Sequence, residues 1–251
     1  MHIRGPRIFA HRGGAGLWPE NSLTAFHRVA ALQVHGVEFD VHMTRDGEVV
    51  VIHDPVLDRM TDAVGPVGER TLAELREVRL RDAVESVPTL DEVLSFLAET
   101  ELGLRLEIKT GTHGRRYVGL EDKVLHALNR FDLLARTTII AFDWQVLAAV
   151  RNLSPRAAVG GNLDLKGLVR MRGWQRVLAR LRAHGIGELS ADHHLFRPVS
   201  TEKFLREGVR VSVWTVNKEK DLARWLKSTV DSVTTDRPDL ALRVRRQGTA
   251  T

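Results

Sequence analysis

Short apolar or alternating runs recur along the chain, separated by longer stretches whose apolar residues fall three and four positions apart. The short runs predict strands at Ile8 to His11, Val37 to Val41, Val49 to His53, Leu104 to Lys109, Thr138 to Phe142, Ala157 to Gly160, Glu188 to Ser190, Val211 to Val216 and Val230 to Thr235. Between them, Leu23, Phe26, Val29, Ala30 and Val34 mark a helix that Asn21 or Ser22 can cap, and Pro88-Thr89-Leu90 opens another through Leu94 and Leu97. Alternation of this kind, with no linker, predicts an α/β fold around a parallel sheet. A length of 251 residues suits one (β/α)8 TIM barrel spanning 1–251 as a single domain.

The strand runs exceed the eight of a plain barrel by one, and the segment GVEFDVHMTRDGEVVVIHD explains the surplus. Asp46-Gly47 between two β-rich runs signals a hairpin, so one of its strands is antiparallel. With a two-residue turn, Arg45 faces Glu48, paired residue numbers sum to 93, and Asp40 lies opposite His53. Alternation along the first strand puts Glu38 and Asp40 on one face. A longer turn would shift this register and reverse the facing of the partner side chains. The stretch from Pro55 to Val87 is too long for a barrel loop and predicts a small insertion above the mouth, part of the same domain.

The candidate chemistry lies at the C-terminal ends of these strands, where barrel enzymes carry their sites. The first strand ends in His11-Arg12-Gly13, the second carries Glu38 and Asp40, the hairpin returns with His53-Asp54, and the LRLEIK strand carries Glu107 and Lys109. Each residue alone has a structural reading, such as a barrel-interior ion pair for Glu107 and Lys109. Together they would leave several charges buried without compensation, at a cost of several kcal/mol per unpaired ion. A bound cation resolves this. Glu38, Asp40 and Glu107 form an all-oxygen set suited to Mg2+ or Ca2+, Arg12 and Lys109 suit phosphate, and two imidazoles can divide acid and base duties.

Composition narrows the classes. Cysteine is absent, which excludes disulfides, thiolate metal sites and thiol nucleophiles. The N-terminal MHIRGPRIFAHRGG lacks the apolar run of a signal peptide, and no stretch is long enough to span a bilayer, so a cytoplasmic protein without a transmembrane segment is expected. The net charge of +5 favours anionic ligands. Much of the excess lies in Arg170 to Arg182 and in Arg243, Arg245 and Arg246. In the first stretch Trp174, Val177, Leu178 and Leu181 recur at helical spacing, which predicts an outer helix with a solvated basic face. The residues after Leu242 are expected to fray.

HRG (His11 to Gly13), PEN with a following AF (Pro19 to Asn21, Ala25-Phe26) and ExDVxxTxDG (Glu38 to Gly47) are joined by VVVIHD (Val49 to Asp54) and PTLDEVL (Pro88 to Leu94). LEIK (Leu106 to Lys109), WTVN (Trp214 to Asn217) and VDSVTTDRP (Val230 to Pro238) follow in the same order. In these motifs, which run through nearly the whole chain, it resembles the glycerophosphodiester phosphodiesterase family. That resemblance implies hydrolysis of a small-molecule glycerophosphodiester to sn-glycerol 3-phosphate and an alcohol, assisted by a divalent cation, Mg2+ or Ca2+. It implies metal ligation by Glu38, Asp40 and Glu107, acid/base roles for His11 and His53, and phosphate contacts from Arg12 and Lys109. Asn21 and Trp214 would line the site less directly, with a helix cap and a barrel-wall aromatic as their structural readings. His11 is expected to act as base and His53 as acid.

Ala141 stands where the family more often has serine and Met60 where it has threonine, which predicts altered substrate fit. His42, His193 and His194 carry no role in the resemblance, and Asp192-His193-His194 reads as solvated loop. The competing functional readings are a lysophospholipase D-type hydrolase on the same barrel, a barrel that binds a phosphorylated ligand without turnover, and nucleic-acid binding. The last lacks any recognition motif, so no nucleic-acid partner is expected. The sequence leaves the oligomeric state open.

Overall fold

The computed structural model describes residues 5–249. Eight parallel strands close on themselves: β1 (Arg7–His11), β2 (Gly36–Met43), β4 (Gly103–Ile108), β5 (Thr137–Ala141), β6 (Ala158–Leu163), β7 (Glu188–Asp192), β8 (Arg210–Trp214) and β9 (Ser232–Thr235), with β1 paired to both β2 and β9. The ninth strand, β3 (Val49–Val51), is antiparallel to β2. The chain therefore forms the expected TIM barrel with a hairpin.

The hairpin register differs from the expected one. Val41 pairs with Val51, His42 with Val50 and Met43 with Val49, so paired numbers sum to 92, and Ile52 donates to the Asp40 carbonyl at 3.0 Å. Thr44 and Glu48 close a three-residue loop, Arg45-Asp46-Gly47, in which Gly47 takes the left-handed φ of 84°. Asp40 thus lies opposite Ile52, not His53. β3 also ends at Val51, and a bend over residues 53–55 carries His53 to the barrel mouth.

The sheet's outward apolar residues bury against the helices. Helix Leu23–Ala30 buries Ala25, Phe26 and Val29 and is capped by Ser22, whose hydroxyl accepts from the Ala25 N–H. Helix Leu90–Ala98 starts at a reciprocal capping box between Thr89 and Glu92 and buries Leu90, Val93, Leu94 and Leu97. Inside the barrel, Arg105 and Glu188 form a fully buried ion pair at 2.5 Å, with Ser212 and Ser232 beside the guanidinium.

The stretch between β3 and helix Leu90–Ala98 gathers a small apolar cluster of its own, with Leu57, Val67, Leu75, Leu80 and Val87 closing over Val50 and Ile52. It is tied to the barrel by Glu85, whose carboxylate accepts from the Leu23 and Thr24 N–H groups. The basic stretch is helical where expected, over Trp174–Ala183 with Val177 and Leu181 buried, but Arg170 closes a separate helix, Leu165–Arg170. Arg172 (φ 56°) and Gly173 (φ 105°) break the chain between them. The C-terminal segment is not frayed after Leu242: a helix runs over Pro238–Thr249, with Leu240, Ala241 and Val244 buried one and four positions apart. Residues 1–4 and 250–251, including the start of the N-terminal run read above, lie outside the described residues.

Candidate active site

Parallel register assembles the site. His11 pairs with Glu38 across β1 and β2, and Asp40 pairs with Glu107 across β2 and β4. Glu38, Asp40 and Glu107 are all buried, and they offer oxygens that lie within 4.8 Å of one another. Lys109 Nζ stands 2.8 Å from Glu107 Oε1 and 3.0 Å from Asp40 Oδ1. Arg12 Nε lies 3.6 Å from Asp40 Oδ2, while the Arg12 backbone N–H donates to Glu38 Oε2 at 3.1 Å.

The three carboxyls do not share the charge equally. Burial and the Asp40 charge push Glu38 up to about 7, and burial raises Glu107 despite Lys109. Asp40 is held well below the usual range, because Lys109, His53, Arg12 and the Asn21 amide outweigh its burial. Two cationic side chains therefore leave a triad of buried carboxyls only partly neutralised. That is the environment a divalent cation fits, and the hard oxygen donors suit Mg2+ or Ca2+.

Both histidines are held by aspartates. His11 Nδ1 lies 2.6 Å from Asp236 Oδ1, and His53 Nδ1 lies 2.6 Å from Asp54 Oδ1. A carboxylate only accepts, so each Nδ1 carries its proton and each Nε2 is left for chemistry. Burial lowers the His11 pKa, but Glu38 and the Asp236 hydrogen bond outweigh it and the net shift is upward. His53 is shifted downward by burial, with Lys109 and Arg12 adding to the effect against Asp40 and Asp54. Without a cation these charges draw the His11 ring toward its protonated form and the His53 ring toward its neutral form. A cation on the carboxyls would weaken the pull of Glu38 on His11.

Arg59, from the insertion, joins the two halves of the site. Its Nε donates to Asp54 Oδ2 at 2.5 Å and its Nη2 to Glu20 Oε1 at 2.7 Å, while Glu20 Oε1 also accepts from Arg12 Nη1 at 3.0 Å. His42 supports the His53 segment from below, with Nε2 3.1 Å from the His53 carbonyl and Nδ1 3.0 Å from the Tyr117 hydroxyl. Burial pushes its pKa down to about 4, which matches a neutral ring that donates through Nε2 and accepts through Nδ1.

The family model described as "Glycerophosphoryl diester phosphodiesterase family" matches residues 11–240. The chain belongs to this family. A glycerophosphodiester phosphodiesterase of Caldanaerobacter subterraneus subsp. tengcongensis is 32% identical over 247 residues, covering 96% of this chain and 98% of that protein. A solved structure from Agrobacterium tumefaciens matches with a TM-score of 0.93 at 29% identity, over 98% of this chain and 100% of that one. A phosphodiesterase of Oleispira antarctica, solved in complex with the product sn-glycerol-3-phosphate, matches with a TM-score of 0.82 at 27% identity, over 96% and 97% of the two chains.

Against the family motifs, the fold brings His11, Arg12, Glu38, His53, Glu107, Lys109 and Trp214 to one cavity of about 110 Å3, with Asp40 buried behind Lys109. Asn21 neither caps the helix nor lines that cavity: its Nδ2 donates to Asp40 Oδ2 at 2.9 Å, so it braces a carboxylate. Ala141 is core, and Met60 Sδ meets Arg59; neither lines the cavity. His193 is buried against Trp225 and His194, not solvated as expected, whereas His194 is exposed.

Sequence reasoning missed Asn162, Arg59, Glu20 and the roles of Asp54 and Asp236. Asn162, near the end of β6, donates from Nδ2 to Glu107 Oε2 at 3.1 Å, and its buried Oδ1 has no partner among the described residues. Asp236 sits inside the VDSVTTDRP motif and is itself held by Asn217 at 2.5 Å, so the motifs did carry a signal for it. Glu20 likewise sits inside the PEN motif, whereas Arg59 gave no signal, and its pairing with Glu20, 39 residues away, gave none.

Proposed function

We propose that this chain hydrolyses glycerophosphodiesters: water adds at phosphorus, the bond from phosphorus to the alcohol oxygen breaks, and sn-glycerol 3-phosphate and an alcohol leave. The observation that carries the reading is the convergence of two aspartate-held histidines on a triad of buried carboxyls at one cavity. The product held by the Oleispira antarctica relative supports the same product here.

Glu38, Asp40 and Glu107 would hold a divalent cation, Mg2+ or Ca2+, which when bound supplies a Lewis acid for a phosphoryl oxygen. Arg12 and Lys109 offer charge-assisted donors to the remaining phosphate oxygens. His11 and His53 each present Nε2, one to take the proton from the attacking water and the other to protonate the departing alcohol oxygen. Asp236 and Asp54 keep those rings in the tautomer that makes this possible. Trp214 walls the cavity, packed edge-on against Phe142. Asn21 keeps Asp40 in place.

A lysophospholipid substrate would need an apolar channel for its acyl chain. The groove that opens from the cavity is mixed: Lys166, Arg170, Arg180, Asp143 and Asp164 interrupt its apolar lining of Ile108, Phe142, Trp144, Leu163 and Met171. The test is a product assay on a panel of glycerophosphodiesters, with lysophosphatidylcholine as comparison, in EDTA and then with each divalent metal restored. Release of sn-glycerol 3-phosphate that EDTA stops and Mg2+ or Ca2+ restores is the expected result. Cleavage of lysophosphatidylcholine alone would overturn the substrate assignment, and full activity in EDTA the metal role.

A further inference from the structure

Resting on the hydrolase reading, we propose that the groove beside the cavity is the leaving-alcohol subsite and that it selects an alcohol carrying its own anionic group, such as a second phosphodiester. The groove has a volume of about 720 Å3 and shares His53, Glu107, Lys109, Phe142 and Asn162 with the much smaller cavity. With the substrate phosphate near Lys109, this reading places its alcohol side in the groove. The groove is the larger of the two spaces, about 720 against 110 Å3, and is the one with room for a polyol chain.

The groove is lined by four cations, Lys109, Lys166, Arg170 and Arg180, and three carboxylates, Glu107, Asp143 and Asp164, and the stretch that supplies three of those cations is itself strongly basic. From Asp164 to Ala183 the chain carries six cations, Lys166, Arg170, Arg172, Arg176, Arg180 and Arg182, against the single anion Asp164. Of these only Arg182 is in an ion pair, with Glu207; the other five form none among the described residues. Lys166, Arg170 and Arg180 line the groove itself. Of the three carboxylates there, Glu107 is paired with Lys109, and the other two are engaged as helix caps: Asp164 Oδ1 accepts from the Gly167 N–H at 2.7 Å and Asp143 Oδ1 from the Gln145 N–H at 3.0 Å. Unpaired cations at the mouth of a cleft concentrate anions and disfavour a cationic group such as choline. The basic stretch that reads as a merely solvated face in the sequence thus borders the site.

Three diesters form a charge series in the leaving alcohol at constant chemistry: glycerophosphocholine (cationic), glycerophosphoglycerol (neutral) and 1,3-bis(sn-glycero-3-phospho)glycerol (anionic). After correction for its two equivalent bonds, kcat/KM for the anionic diester should exceed that for glycerophosphoglycerol by about fivefold or more, with glycerophosphocholine lowest, and the spread should shrink as salt rises. In the double variant Lys166→Glu/Arg170→Glu, whose side chains are exposed, the anionic diester should lose roughly tenfold while glycerophosphoglycerol stays within about twofold. Circular dichroism would confirm that the variant is folded. If all three diesters are cleaved with glycerophosphocholine preferred, or if the variant lowers all three equally, the anionic subsite is refuted and the hydrolase reading stands. If none is cleaved with any divalent cation supplied, the hydrolase reading falls and the subsite with it.

Discussion

Affinity for a divalent cation should be coupled to pH through Glu38. In the metal-free protein, burial and the Asp40 charge push the Glu38 carboxyl up to about 7, and a cation binding below that pH must displace its proton. The apparent Kd should therefore weaken about tenfold per pH unit below 7 and level off above it. Between about pH 8 and pH 5.5 the loss is roughly thirtyfold, or about 2 kcal/mol. The sign for stability follows from the same shift. A carboxyl whose folded pKa lies above its ordinary value stabilises the fold at low pH, and that contribution is lost as pH rises through about 7. For Glu38 the loss amounts to roughly 3 kcal/mol, and the upward shift of Glu107 acts in the same direction. Calorimetric titration with Mg2+ and Ca2+ in two buffers of different ionisation enthalpy measures both Kd and the proton released, expected to approach one per cation near pH 6. Melting scans should show the metal-free Tm falling from pH 5 to pH 8, with the cation raising it most at the upper end. A Kd that is flat across this range, or a metal-free Tm that climbs with pH, would refute the reasoning.

The remaining predictions concern single residues. His11→Ala and His53→Ala should each lower turnover of glycerophosphoglycerol by roughly 10²- to 10⁴-fold with Tm little changed, and near-normal turnover in either variant would remove that residue from the proton transfer. Arg59→Ala should lower kcat by about tenfold, because Asp54 and Glu20 lose their shared donor, with Arg59→Lys recovering part of it; unchanged kcat in both would make Arg59 a surface ion pair only. Glu188→Gln should destabilise the fold by about 3–5 kcal/mol in urea denaturation by stranding Arg105 in the barrel interior. The apolar pair Arg105→Met/Glu188→Leu should recover most of that loss, and equal losses in the two would show that packing, not charge, is at stake.

The metal-site candidates, the histidines and the barrel were legible because they depend on local rules. Strand alternation puts Glu38 and Asp40 on one face whatever the rest of the chain does, apolar spacing marks the helices, and strand ends that are charged in succession are rare without a function. The hairpin was legible from Asp46-Gly47, but its register was not: a two-residue and a three-residue loop use the same residues, and the choice shifts the pairing by one. The C-terminal helix was misjudged because arginine-rich sequence reads as solvated, while Leu240, Ala241 and Val244 find a buried face only once the barrel has closed.

The sequence by itself determined the alternation of strands and helices, and with it the barrel and the identity of the ionisable residues at its mouth, since side-chain period and turn chemistry are properties of neighbouring residues. Only the tertiary structure decided which groups hold them. Asp236 reaches His11 from 225 positions away, Arg59 spans 39 to Glu20, and Asn162 crosses 55 to Glu107. Such contacts are set by barrel closure and strand register, which join residues that no local pattern relates. The same closure turns the basic helices toward the groove, so that a charge excess visible in the composition acquires a place beside the site.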